Sequence, residues 1–310
     1  MKKTVCIMLT VCLLAALLAG CGGTKTARDA EKPSVVVTIY PVYDWVEHLL
    51  SGCPDAFELR LLLREGVDMH SFQPSVQDMV AVADCDLLIY IGGESDRWID
   101  EVEKSNPRQQ RVSLLALLGD AALDEELAEG MQGEADGAPD EHVWLSPKRA
   151  RVLCKALHGA LKALDAADGR ALDAAWAAYD AKLAALDVDY ETAVAAAAGD
   201  TLLVADRFPF RYLAEDYGLK YYAAFPGCEA ETEASFQTVS FLAGKLDELG
   251  LGTVLVIESG DGRLAETVIA ASRDKDQTVR VLHSMQGPSG GRDYLTIMRE
   301  NLEVLKEALG

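Results

Sequence analysis

The chemistry available to this sequence starts with its five histidines. His70 lies in Gly66-Val-Asp-Met-His-Ser-Phe-Gln-Pro74, shortly after a strand-like run that ends at Leu63. His142 follows an acidic stretch and precedes Val143-Trp-Leu-Ser-Pro147, and His283 comes directly after the strand-like run 278–282. All three occupy loop positions beside a strand end, where neutral imidazoles can converge on one ion. Three imidazoles suit Zn2+ better than Ca2+ or Mg2+, which take oxygen ligands, and better than Mn2+, which prefers more oxygen. No HxxxH or CxxC spacing supports the set, so the expectation rests on where strands deliver the rings. Asp206 and Glu258, also at strand ends, are the carboxylates that could complete four-coordination, as could water. His48 and His158 fall inside helical patterns and read as helix-surface residues.

Seven cysteines are present. Cys6, Cys12 and Cys21 belong to the N-terminal segment, which leaves Cys53, Cys85, Cys154 and Cys228. In an oxidising compartment these could form two disulfides, or they could remain buried thiols. Without CxxC or CxH spacing, a thiolate metal site is not expected.

The elements that must carry the histidines read as α/β. Runs at 35–40, 57–63 and 86–90 are apolar strands, with helices expected at 43–50 and 76–83. Residues 120–141 are acidic and poor in large apolar side chains after Leu127, as in a surface loop. From Pro147 to about Ala197 an Ala- and Leu-rich stretch predicts two helices, the second long, broken near Ala167-Asp-Gly169. Strand and helix then alternate again: strands at 201–205, 219–224, 253–257 and 278–282, helices at 210–217, 236–249, 262–272 and 294–309. Alternation of this kind predicts parallel sheets covered on both faces. The expected fold is two α/β lobes, each a parallel sheet flanked by helices, joined by a long backbone helix. The lobes span residues 34–147 and 199–310, with connecting helices at 148–198. Ligands in such folds sit at the C-terminal ends of the strands.

Composition agrees with a folded body: half of the residues are hydrophobic and a quarter charged. A net charge of −21 argues against nucleic-acid binding, which needs a basic face. Lys2 and Lys3 precede the uncharged run 4–17, the pattern of an export signal too short for a comfortable membrane span. The ending Leu18-Ala-Gly-Cys21 resembles the bacterial lipoprotein box. That resemblance implies a signal peptide at 1–20, cleavage before Cys21 and lipidation of its thiol. Residues 21–33 then read as a tether, anchoring an extracytoplasmic body to the cell membrane.

Six further segments carry a larger resemblance. They are Thr38-Ile-Tyr-Pro41, Gly66-Val-Asp-Met-His-Ser-Phe-Gln-Pro-Ser75, Glu141-His-Val-Trp-Leu-Ser-Pro147, Tyr212-Leu-Ala-Glu-Asp-Tyr-Gly-Leu219, Glu231-Thr-Glu-Ala-Ser235 and Tyr294-Leu-Thr-Ile-Met-Arg-Glu-Asn-Leu302. In this order, over about residues 34 to 309, the chain resembles the zinc and manganese solute-binding lipoproteins of bacterial ABC transporters. The resemblance implies one divalent metal ion held between two lobes and delivered to ABC permease subunits in the membrane. His70 and His142 match the first two ligands of that family. The third, a His or Glu, falls on Arg207, whose guanidinium has no lone pair for a metal. Either that ligand is missing or Asp206 supplies it. The fourth position, usually Asp, is matched by His283. Arg207 could pair with Glu233 or Glu258 and hold the cleft closed, or stand as an ordinary surface arginine.

Zinc is the expected cargo, with manganese the alternative. Binding needs unprotonated imidazoles, so affinity is expected to fall as pH drops through about 6.5. A zinc hydrolase is the rival reading from another class, and it lacks an HExxH helix or a readable nucleophile–base pair. An adhesin-like surface lipoprotein is a second rival.

Overall fold

The computed structural model describes residues 32–310 apart from 64–66, 134–136, 229–232 and 287–289. The export signal, Cys21 and nearly all of the tether lie outside the described residues. Strands β1 (Ser34–Val37), β2 (Glu58–Leu61), β3 (Leu87–Tyr90) and β4 (Gln110–Ser113) form a parallel sheet in the order β2-β1-β3-β4. Strands β5 (Thr201–Phe208), β6 (Lys220–Pro226), β7 (Thr253–Val256) and β8 (Thr278–Val281) form a second parallel sheet, ordered β6-β5-β7-β8. In each sheet the chain moves to one side of its first strand and then to the other. That switch leaves a crevice at the strand C-termini. The central strands are apolar throughout, as in Val35-Val-Val37, because helices cover both faces. Edge strand β4, Gln110-Arg-Val-Ser113, is half-buried and polar, so no hydrophobic pattern announces it.

Helices α1 (Tyr40–Leu49), α2 (Val76–Asp84) and α3 (Leu114–Leu118) belong to the first half. α1 begins earlier than its apolar spacing suggests because Pro41 sits in the first turn, where its missing N–H costs nothing. α2 opens on a capping box between Ser75 and Asp78. α4 (Pro147–Ala163) and α5 (Gly169–Ala196) follow, N-capped by Ser146 and Asp168. The second half carries α6 (Arg211–Tyr217), α7 (Phe236–Leu249), α8 (Arg263–Ala271) and α9 (Tyr294–Leu309). α7 ends on Gly250 at φ 62°, the left-handed cap that glycine takes without strain.

The long α5 is the spine. Its buried residues Leu172, Ala175, Tyr179, Leu183, Leu186 and Tyr190 recur at helical spacing. It packs on α4 and α1 of the first half and on α9 and α6 of the second. One hydrophobic core runs through both halves, from Val35 and Trp45 to Leu282 and Leu305. The Tyr190 hydroxyl donates to the Met298 carbonyl at 2.7 Å, tying spine to α9.

β5 extends further than its apolar run suggests. Between Val204 and Arg207 it carries one residue more than β6 does between Ala223 and Phe225. This bulge passes over Asp206 and redirects the strand end, as bulges beside functional sites do. Among the described residues, no helix is long and apolar enough to cross a membrane.

Candidate metal centre

His70 is delivered by a 3-10 turn, Met69–Ser71, a few residues beyond β2. Asp68 caps that turn, its Oδ1 accepting from the His70 N–H at 2.9 Å. His142 opens the 3-10 turn Val143–Leu145. Both its backbone N–H, at 2.8 Å, and its ring Nδ1, at 3.0 Å, meet Asp140 Oδ1. The two rings converge: His70 Nε2 and His142 Nε2 lie 3.2 Å apart. His142 is fully buried and the His70 side chain is 10% exposed.

The surrounding bonds fix the tautomers. Nδ1 of His142 donates to the Asp140 carboxylate, which leaves Nε2 with its lone pair. Nδ1 of His70 lies 3.0 Å from Ser95 Oγ, and Ser95 itself donates to Glu141 Oε2 at 2.6 Å and to Oε1 through its backbone N–H at 2.7 Å. The His70 Nδ1–H therefore donates to Ser95, and its Nε2 is also bare. Two ring nitrogens on a tetrahedral zinc, each about 2.05 Å from the ion, stand about 3.3 Å apart. The observed separation matches that spacing. Gly93 makes room for this support, since a Cβ there would meet Glu141 Oε1 at 2.2 Å.

Burial sets the electrostatics. Desolvation first, then the neighbouring His142 and Arg207, pushes His70 down to about 3. Burial thus favours the neutral form of this ring, the form that coordinates. Desolvation also pushes Glu141 up, against the two bonds from Ser95. For Asp68, burial acts upward, but the hydrogen bond and charge of Arg207 outweigh it and hold the carboxyl below its usual range.

The opposite wall differs from the expected one. The third donor grouped with His70 and His142 is Cys228, with all three donor atoms within 4.8 Å of one another. Cys228 follows β6 directly, in the turn Gly227-Cys228. A Cβ on Gly227 would lie 2.9 Å from the Phe208 carbonyl oxygen and 3.0 Å from His142 Cε1. Only a glycine lets this turn approach the ring so closely. The Cys228 N–H donates to Glu125 Oε1 at 2.7 Å. So the acidic stretch is more than a solvated loop: it pairs with itself at Asp124 and Pro139 and buttresses the turn that carries the thiol. Burial, then the Asp140, Glu125 and Glu141 carboxylates, pushes that thiol up and favours its protonated form. Cys53, Cys85, Cys154 and Cys228 are all free thiols.

His283 stands outside this group. Its backbone is bracketed by Asn301, which accepts from its N–H and donates to its carbonyl, both at 2.8 Å. Its Nδ1 accepts from the Met285 N–H at 3.1 Å and faces Glu258 at 3.4 Å. Desolvation lowers its pKa, as for His70. Three residues on, Gln286 reaches the imidazole pair: its Nε2 is 2.6 Å from His142 Nε2. Met285, buried at φ 56°, makes the kink that turns Gln286 inward. Glu258 is a bracket for this kink, because its two oxygens accept from the Ser284 N–H and hydroxyl at 2.7 and 2.9 Å. Trp144 Nε1 donates to the Ser284 carbonyl, and the Tyr294 hydroxyl to the Trp144 carbonyl. These bonds form a dry floor shared by both halves.

Asp206 is also committed elsewhere, its oxygens accepting from the Arg207 and Ile257 N–H groups. Arg207 is 3% exposed and donates to Asp68 Oδ2 at 2.7 Å, across the crevice. Asp68 is thus an acidic partner of Arg207 that the expectation of Glu233 or Glu258 did not include. His48 stacks on Tyr179 and His158 pairs with Asp173, both on helices and outside the group. Sequence reasoning missed Asp140, Ser95, Cys228 and Gln286. A Gly-Cys pair closing a strand, opposite an arginine that cannot bind metal, is the signal that could have found Cys228.

Two parallel-sheet lobes on a helical spine, with donor side chains at facing strand ends, define a two-lobed α/β solute-binding protein. The family model described as zinc-uptake complex component A, periplasmic (ZnuA) matches residues 35–308, so the chain belongs to that family. It is 28% identical over 294 residues to the zinc-binding protein AdcA of Streptococcus pyogenes serotype M1, covering 89% of this chain and 56% of that protein. The chain therefore spans about half the length of that relative. It is 28% identical over 318 residues to the high-affinity zinc uptake system protein ZnuA of Bacillus subtilis, covering 97% and 96%. The Zn(II)-bound ZnuA-like domain of Streptococcus pneumoniae AdcA superposes with a TM-score of 0.72 at 24% identity, over 90% of this chain and 99% of that domain. That likeness shows the fold.

Proposed function

We propose that the chain captures a zinc ion outside the cytoplasm and delivers it to the permease of an ABC importer. The observation that carries this reading is the pair of imidazoles whose unprotonated Nε2 atoms face each other at 3.2 Å, each with Nδ1 held by a polar partner. A carboxylate or hydroxyl bonded to the far nitrogen of each ring is the arrangement that fixes a metal-binding tautomer. Nitrogen donors favour zinc over manganese.

In this reading residues 1–20 direct export, Cys21 carries the lipid, and 21–33 tether the body to the membrane. Domains 34–147 and 199–310 supply the two walls, and 148–198 the rigid connection. Replacing Cys21 by Ser should release the protein from the membrane fraction; retention there would contradict the anchor. The protein is a carrier and not an enzyme, so an esterase and phosphatase screen of the zinc-loaded protein should return no turnover.

Calorimetric titration tests the central reading. The purified protein should bind one zinc per chain. His70→Ala or His142→Ala should cost more than the roughly 10–100-fold typical of a supporting residue. His158→Ala should change nothing. Absence of zinc binding, or equal losses at all three histidines, would overturn it.

A further inference from the structure

We propose that Cys228 is a thiolate ligand to the captured ion, which makes the site a mixed imidazole–thiolate centre selective for soft divalent cations. This deepens the zinc-capture reading and rests on it. Zinc bound by two nitrogens and one sulfur has N···S separations of roughly 3.6 Å, from bond lengths near 2.05 and 2.3 Å. The 4.8 Å envelope of His70, His142 and Cys228 is within about one ångström of that arrangement. Three features of the fold serve this approach. Gly227 has no Cβ, so the turn comes within contact of the His142 ring. Glu125 holds the Cys228 N–H and fixes where the thiol points. Pro226, the last residue of β6, pairs with Phe208 and ties the turn to β5.

One observation independent of this geometry points to a ligand here. Gln286 is 2% exposed, and its Oε1 finds no hydrogen-bond partner among the described residues. Its amide nitrogen meanwhile caps the lone pair of His142 Nε2 at 2.6 Å. A half-turn of that amide presents the idle oxygen to an ion at the imidazoles and closes a fourth position. On coordination the Cys228 S–H bond breaks, its electron pair goes to the metal, and the proton leaves to solvent. Thiolate donors select zinc, cadmium and cobalt over manganese.

Cobalt(II) alone, titrated into the reduced, metal-free full chain, is the probe. The protein should develop visible d–d bands of four-coordinate intensity together with a near-ultraviolet thiolate-to-cobalt charge-transfer band. Cys228→Ser should lose the near-ultraviolet band and keep the d–d bands, while Cys53→Ser keeps both. Cys228→Ser should also narrow the preference for zinc over manganese by tenfold or more. Should Cys228→Ser not fold, extended X-ray absorption on the zinc-loaded wild type replaces it and should show one sulfur neighbour. Cobalt binding that His142→Ala abolishes but that carries no thiolate band, or a sulfur-free zinc shell, overturns the thiolate and leaves zinc capture standing. A chain that binds neither cobalt nor zinc overturns both.

Discussion

On the wall supplied by the first half of the chain, His70 and His142 stand on buried polar side chains: Ser95 with Glu141 under one, Asp140 under the other. On the facing wall, Cys228 and Gln286 are aimed by backbone, through a glycine turn after β6 and a left-handed residue after β8. The first wall fixes tautomer and direction, so it supplies affinity for any ion that accepts imidazole. If Cys228 and Gln286 reach that ion as proposed, the second supplies selectivity. Arg207 belongs to the second wall as a positioning charge, tied to the first through Asp68.

Single substitutions can break this division. The largest effect should come from His142→Ala, with zinc affinity falling beyond the roughly 10–100-fold scale of supporting residues, whereas His283→Ala changes it by no more than a few-fold. Calorimetry on both decides the matter, and equal losses would return His283 to the site. Next is Asp140→Asn, which leaves the ligands in place but removes the carboxylate that orients His142. A loss of about 10–100-fold is expected, and an unchanged constant would mean the ring needs no such support. Gly227→Ala sharpens the view of the backbone-built wall. Its Cβ, 3.0 Å from His142 Cε1, should displace turn or ring and weaken zinc about tenfold. Wild-type affinity in this variant would show that the close approach is incidental.

The smallest effect is a pH linkage. His70 is pushed down to about 3 in the folded protein, while the unfolded chain titrates near 6.5. Below that unfolded value the denatured state binds the extra proton, so stability falls as pH drops from about 6.5 toward 3. Between about pH 7.5 and 5.5 the metal-free wild type should lose about 1.4 kcal/mol relative to His70→Asn. Urea midpoints at both pH values measure it, and parallel losses would place the neutral ring elsewhere.

The same division explains what the sequence reveals. The helices 236–249 and 294–309 are legible to the residue, because apolar spacing, a Ser or Asp cap and Gly250 all agree. The apolar central strands are plain in kind, though the first ends at Val37 rather than at residue 40. Polar β4 is not, nor is the extension of β5 through Asp206 and Arg207, where a bulge breaks the alternation. His70 and His142 are visible because imidazoles after strand ends are few and chemically pointed. Cys228 and Gln286 are single residues brought in by separate strand ends, with no local spacing to mark them. His283 sits in the right segment, yet the kink at Met285 sends Gln286 inward instead. The motif residues Trp144, Tyr294 and Asn301 prove to be the floor and the bracket that hold that segment.

Anomalous diffraction at the zinc edge, from crystals of the loaded protein, tests the central claim most directly. A single peak should lie about 2.0–2.1 Å from both His70 Nε2 and His142 Nε2, in the crevice between the two sheets. A peak anywhere else, or a loaded crystal in which those two nitrogens share no ion, would contradict it.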